Sequence, residues 1–306
     1  MMSIINTLVE KFPIRRSKDQ KDAFRAWVLE QAVQMGYQAQ VEAIKDHNNV
    51  VIGNPETAKA IFTAHYDTPA SFFLPNFMTP CNKVFFHCRQ IGMILLMVAI
   101  GAAVGIPVGL LTGDERLGFI AGWLVYMAFV MSMIMGPANK HNVNDNTSGV
   151  VTLLEIAMSL TPEQREKTAF VFFDNEEKGL FGSSGFYRKH RKHMQAELLV
   201  NFDCVSDGDH MLFFPRRQAK KQGVQRLEQA YQSTRDKQVR VIKSFGFYPS
   251  DQKHFPVGVG VAALHRRPLL GYCLGRIHTR RDTVMDERNI ELLRQGSLRL
   301  LDGAED

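Results

Sequence analysis

Charged residues vanish from two stretches of the chain. Ile91–Leu111 runs 21 residues without a charge and Leu117–Gly136 another 20, parted by the polar turn Thr112-Gly113-Asp114-Glu115-Arg116. As helices rising about 1.5 Å per residue, each would reach roughly 30 Å, the thickness of a bilayer's hydrocarbon core. Gly101, Gly105, Pro107 and Gly109 inside the first run are tolerated in membrane helices, where small residues permit close helix contact. The pattern predicts a transmembrane hairpin. The competing reading is two helices buried in a soluble core or dimer interface. Lys83, Arg89 and Lys140 flank the runs on the outside, whereas the turn between them has two acids and one Arg. Positive residues stay with the cytoplasm. The expectation is therefore a multi-pass protein of the inner or plasma membrane, with the rest of the chain facing the cytoplasm.

Outside residues 69–139 the hydrophobic period changes. Asp19–Met35 reads as an amphipathic helix with Phe24, Trp27, Val28, Gln31 and Ala32 near one face. Short apolar runs at 50–53, 60–64, 168–173, 198–202, 239–243 and 257–264 predict strands. Helices are expected over 149–160, 180–194, 222–237 and 287–301. Strands alternating with helices argue for an α/β domain of three layers, α/β/α, around a mostly parallel mixed sheet. Residues 1–68 and 140–306 are expected to form that single domain, and 69–139 an insertion with helices at about 91–111 and 117–136.

Composition narrows the class. The chain has 306 residues, 45% hydrophobic and 22% charged, with a net charge of +6, which excludes a disordered, collagenous or disulfide-scaffold protein. Cys81, Cys88, Cys204 and Cys273 form no CxxC pair, so free thiols in a reducing compartment are expected. The opening residues lack the apolar core of a secretory signal. Basic clusters recur at 188–192, 216–221, 265–267 and 280–281. They suit either anionic lipid headgroups or ordinary solvated faces. No motif or aromatic platform suggests a nucleic-acid partner.

In parallel sheets, ligands bind beyond the carboxyl ends of the strands. The polar residues that end these apolar runs fall there: His65-Tyr66-Asp67, Asp174-Asn175-Glu176-Glu177 and Asp203. Asp145 opens the helix after the insertion, and His278 precedes the last helix. Two His and several carboxylates on one edge suit a metal with mixed nitrogen and oxygen ligands. Singly, each has a plainer reading as a loop His, a helix N-cap or a solvated acidic turn. Their order and strand-end placement give them weight together. Strand alternation predicts that Cys204 points away from this edge.

As a set, these segments resemble metallopeptidase family 28, the co-catalytic dizinc aminopeptidases. The matching pieces are Ala64-His65-Tyr66-Asp67-Thr68, Asn144-Asp145-Asn146-Thr147-Ser148-Gly149-Val150 and Phe173-Asp174-Asn175-Glu176-Glu177-Lys178-Gly179-Leu180-Phe181-Gly182-Ser183. Asn201-Phe202-Asp203, Ser250-Asp251 and Ile277-His278-Thr279-Arg280-Arg281-Asp282-Thr283 complete them. The resemblance covers roughly residues 20–68 and 140–302. It implies a zinc-exopeptidase-like fold and two divalent metal ions, with zinc the first choice. His65 and Asp203 would bind one ion, Glu177 and His278 the other, with Asp145 bridging. Glu176 would be the general base of a two-metal hydrolysis, and Asp67 and Asp282 would orient the imidazoles.

The implied activity is a membrane-anchored metallopeptidase that removes N-terminal residues from peptides, held in the bilayer through residues 91–136. Alternatives within the fold are a glutaminyl cyclase-like or carboxypeptidase-like enzyme, or an inactive membrane scaffold. Two departures stand out. Gln252 replaces a frequent His after the Ser-Asp pair, and the link between His65 and Asp145, usually short, contains the entire apolar insertion.

Overall fold

A computed structural model of the chain describes residues 1–72 and 76–303; residues 73–75, within the expected insertion, and 304–306 lie outside this description. The chain opens with α1 (Met2–Lys11) and α2 (Lys18–Gln34). Helix α2 starts in a capping box, Ser17 Oγ accepting from Gln20 N while Gln20 Oε1 accepts from Ser17 N. Strands β1 (Ala39–Ile44), β2 (His47–Ile52) and β3 (Ala60–His65) follow, and the two charge-free runs then form α3 (Lys83–Thr112) and α4 (Glu115–Met135). Next come α5 (Ser148–Ser159), α6 (Pro162–Glu166), β4 (Thr168–Phe173), α7 (Phe181–His190), β5 (Leu198–Phe202) and β6 (His210–Pro215). The chain ends with α8 (Arg217–Gln222), α9 (Val224–Ala230), β7 (Gln238–Val241), β8 (Gly258–Arg267), β9 (Gly271–Cys273) and α10 (Glu287–Asp302).

The strands form one mixed sheet in the order β1-β2-β4-β3-β5-β8-β6-β7, with β9 paired to β8. Its centre, β4-β3-β5-β8, is parallel. β2 joins β4, and β6 joins β8, antiparallel. Because the central strands are buried on both faces, they read as continuous apolar runs rather than alternating ones. Phe62, Phe170, Phe172, Val200 and Phe202 pack with Phe24 and Val28 of α2, Val150 and Leu154 of α5, and Ile290 and Leu293 of α10. Their neighbours Ile61, Val171, Phe173 and Leu199 turn to the opposite layer, against Phe186 of α7 and Phe255. This is the mixed α/β architecture expected from the alternation of elements.

Several elements depart from expectation. α1, β1, β6 and β9 are not among the elements expected from sequence. The helix expected over 222–237 is instead two short ones that break at Gly223 and stop at Ala230. Leaving the helix there lets Tyr231 fold beneath α10, where its hydroxyl meets Ser297 Oγ at 2.8 Å. α3 begins eight residues before its charge-free run, because Asn82 Oδ1 caps it by accepting from Phe85 N at 3.0 Å.

α3 and α4 are long and apolar enough to cross a membrane. Among their residues only Met97, Gly101, Gly105 and Gly118 are buried, whereas Leu110, Phe119 and Met135 are 80%, 74% and 70% exposed. The helices meet through glycine: a Cβ placed on Gly105 would lie 2.7 Å from Gly118 O. We expect Gly105→Leu to force them apart at a cost of about 1–3 kcal/mol. Faster protease cleavage of the detergent-solubilised hairpin would report it, and wild-type resistance would refute the packing. At the base of the insertion the entering and leaving chains touch. Asn139 N donates to Pro69 O at 2.9 Å and Ser71 N to Pro137 O at 2.7 Å, flanking an Ala70–Ala138 bridge.

Candidate metal centre

The carboxyl ends of β3, β4 and β5 supply His65, the Glu176-Glu177 turn and Asp203. Asp67 fastens two of these ends together: its Oδ1 accepts from Glu176 N at 3.0 Å and its Oδ2 from Glu177 N at 3.2 Å. Asp145 lies in the buried turn 143–147 that opens α5. Asn146 locks that turn to the sheet. Its Nδ2 donates to Phe202 O at 3.0 Å, and its Oδ1 accepts from Gly149 N at 3.1 Å and Cys204 N at 3.3 Å. A Cβ on Gly149 would come within 2.4 Å of Phe202 O, so only glycine lets α5 start this close to β5. His278 sits in the loop before α10 with φ of 60°.

These side chains converge. His65 Nε2 is 3.2 Å from Asp145 Oδ1 and 3.7 Å from Asp203 Oδ1. His278 Nε2 is 3.0 Å from Asp145 Oδ2 and 3.6 Å from Glu177 Oε2. Two triads, His65–Asp145–Asp203 and Asp145–Glu177–His278, thus share Asp145, and within each the facing donor atoms lie within 4.8 Å of one another. Glu176 groups with His65 and Glu177 by the same measure. His65, Asp145 and Asp203 are buried, whereas Glu176, Glu177 and His278 are partly exposed, so the cluster opens on the side of the latter three.

The electrostatics follow from crowding anions. Burial alone would lower the His65 pKa, but Glu176, Asp145, Asp203 and Asp67 outweigh it and hold the imidazole well above its ordinary value. Burial would raise Asp145, yet His278 and His65 hold it well below the usual carboxylate range. Burial, reinforced by neighbouring carboxylates, pushes Glu176 and Glu177 well up, Asp251 to about 7 and Asp282 to about 8. This negative surplus, and the mixed nitrogen and oxygen donors, fit a divalent cation. So does the buried Glu177 Oε1, which has no hydrogen-bond partner among the described residues.

Other residues flank the cluster in varied roles. Asp67 Oδ1 lies 3.5 Å from His65 Nδ1, at the outer limit of a hydrogen bond. Asp282 accepts from Asn144 N at 2.7 Å and Asp145 N at 3.0 Å, so its hydrogen bonds hold the backbone of the shared aspartate rather than the His278 ring. Cys204 does not point away. It adopts φ of 58°, which ends strand alternation, and its thiol donates to Asp203 Oδ1 at 3.1 Å. Gln252 is buried and structural, donating to Tyr248 O at 2.7 Å and accepting from Asn201 Nδ2 at 3.2 Å. Asp174 pairs with the buried Lys21 at 2.5 Å.

Sequence reasoning missed Lys21 and also Arg15. The fully buried Arg15 guanidinium donates to Tyr66 O at 2.5 Å and to Asn142 Oδ1 and Thr147 Oγ1 at 3.1 Å each. Burial lowers its pKa to about 10, against the pull of Asp67 and Asp145. Neither residue belongs to a recognisable motif, and their partners lie far along the chain.

A mixed α/β sheet with His and carboxylate side chains gathered beyond its strand ends is an arrangement suited to holding divalent metal ions. Solved structures with this fold include the LapA aminopeptidase of Legionella pneumophila, 14% identical, with a TM-score of 0.58 and coverage of 98% of this chain and 69% of that one. The glutaminyl cyclase of Porphyromonas gingivalis is 17% identical, with a TM-score of 0.59 and coverage of 99% and 98%. A Zn-dependent exopeptidase of Parabacteroides distasonis is 15% identical, with a TM-score of 0.57 and coverage of 98% and 95%. Sequence comparison with curated proteins finds no match. The family model for peptidase family M28 matches residues 112–298, more than half of the chain. The chain belongs to peptidase family M28. The matched stretch starts within α3, leaving His65 and Asp67 on its far side.

Proposed function

We propose that this peptidase is a membrane-anchored aminopeptidase that uses two divalent ions, zinc by preference, to remove N-terminal residues from peptides. The observation that carries this reading is Asp145 shared between two triads beside Glu176. In it, His65 and Asp203 would hold one ion, Glu177 and His278 would hold the other, and Asp145 would contribute to both. Bound cations would polarise the peptide carbonyl and lower the pKa of water from 15.7 towards about 7. Glu176, on the open side, takes a proton from the attacking water and returns it to the leaving amine nitrogen. Asp67 positions Glu176 through its backbone N–H. The anchor is the α3–α4 hairpin, an insertion spanning 69–139 in an otherwise single domain, whose adjoining ends support that division.

The glutaminyl cyclase fold is similar, but two triads that share Asp145 favour a two-ion hydrolysis. The full donor set also argues against an inactive scaffold. A mixed peptide library decides between these. We expect release of N-terminal residues that stops with a chelator and resumes with zinc. Release of C-terminal residues, cyclisation of N-terminal glutamine, or no metal-dependent product would overturn the assignment.

A further inference from the structure

We propose that an anionic phospholipid headgroup binds in a basic cavity at the foot of α3. The proposal rests on the reading of α3 and α4 as a membrane hairpin. The cavity, about 910 Å³, is lined by Lys83, Arg240, Arg266 and Arg267, with Val84 and Leu269 among its apolar members, and no acidic side chain lines it. The four cations come from α3, β7 and β8, so folding alone brings them together. Among the described residues, none of the four has an ion-pair partner. The Lys83 ammonium sits 5.9 Å from the centre of the Phe245 ring instead. Like charges gathered without a counter-ion repel one another, and an anion removes that repulsion.

One of the other basic runs contrasts with this one. In 188–192, Lys189 and His190 contact Glu42 at 2.9 and 2.8 Å, so part of its charge is already neutralised within the fold.

Position selects a lipid. Lys83 precedes the charge-free run by eight residues, about 12 Å along the helix axis. That reaches the headgroup layer beside a hydrocarbon core of about 30 Å, once helix tilt and the length of Lys and Arg side chains are included. Leu269 is 97% exposed and Val84 75%, which leaves apolar contacts for glycerol and the first acyl carbons. The cavity is held in shape without a ligand: Asn82 Nδ2 donates to Leu269 O at 3.1 Å and Leu270 O at 3.3 Å, tying the loop after β8 to the foot of α3. A phosphodiester with two acyl chains matches this combination of cations and apolar rim.

The test uses the full chain, delipidated in detergent and returned to phosphatidylcholine vesicles with or without one-fifth phosphatidylglycerol. Lipid retained after re-extraction is measured by native mass spectrometry. We expect selective retention of phosphatidylglycerol. R266A/R267A should lower its affinity about thirty-fold and R240A, from a different strand, about five-fold, at roughly one interfacial charge each. R191A/K192A, at the end of α7, should retain it. Undiminished retention in both cavity variants overturns the site. Complete displacement by millimolar inorganic phosphate overturns the lipid as its occupant. Release of the wild-type protein from membranes by alkaline carbonate overturns the anchor itself, a result independent of Arg266 and Arg267.

Discussion

Replacing Glu176 with Gln lowers peptide hydrolysis by a factor of about 10³, within the range for loss of a general base, while metal content stays at the wild-type level. The substitution keeps the shape of the side chain and the Glu176 N–H bond to Asp67, so the turn that presents Glu177 is undisturbed. Only the capacity to take and return a proton is lost. Turnover of a chromogenic amide, paired with elemental analysis of the same sample, reads both parts. Because Glu176 also groups with His65 and Glu177, loss of metal together with activity would make it a ligand instead of the base. Unchanged turnover would remove it from the chemistry altogether.

Asp145→Ala should have the broader effect. One carboxylate serves both triads through different oxygens, 3.2 Å from His65 and 3.0 Å from His278. Its loss depletes both metal positions, takes activity to background and abolishes the rise in thermal midpoint that added zinc gives the wild type by binding only the folded state. Asp203→Ala, which touches one triad, should leave a remnant of bound metal. Full metal occupancy in Asp145→Ala would contradict the shared arrangement.

What the sequence discloses and what it hides divide along a physical line. His65, Glu177 and Asp203 could be placed because each ends or follows a run of apolar residues, and the ends of parallel strands meet at one edge of the sheet. Asp145 stood out through the Asn144–Gly149 segment, whose glycine and amide residues serve close packing against β5. Arg15 and Lys21 were invisible, since a buried cation announces itself only through partners: Arg15 reaches Asn142 and Thr147, and Lys21 reaches Asp174. Strand alternation misdirected Cys204 because one left-handed residue re-aims a side chain. The helix expected over 222–237 failed for a similar reason, as burial of Tyr231 under α10 overrode local helical preference. The fold was legible where pattern is local, and obscure where a single residue answers to distant ones.

The junction at Pro69 and Asn139 has a consequence for how this molecule can be handled. A 2.9 Å hydrogen bond joins the two points between which the hairpin leaves and returns. Excising the intervening segment and closing the gap with one or two glycines would bridge the junction, but it would also remove Phe72 N, which donates to His278 O at 2.7 Å, and Met78, which exchanges two 3.0 Å hydrogen bonds with Leu274. On the proposed reading of α3 and α4 as a membrane anchor, a form released from the bilayer at this graft point would lose those contacts to the loop that carries His278.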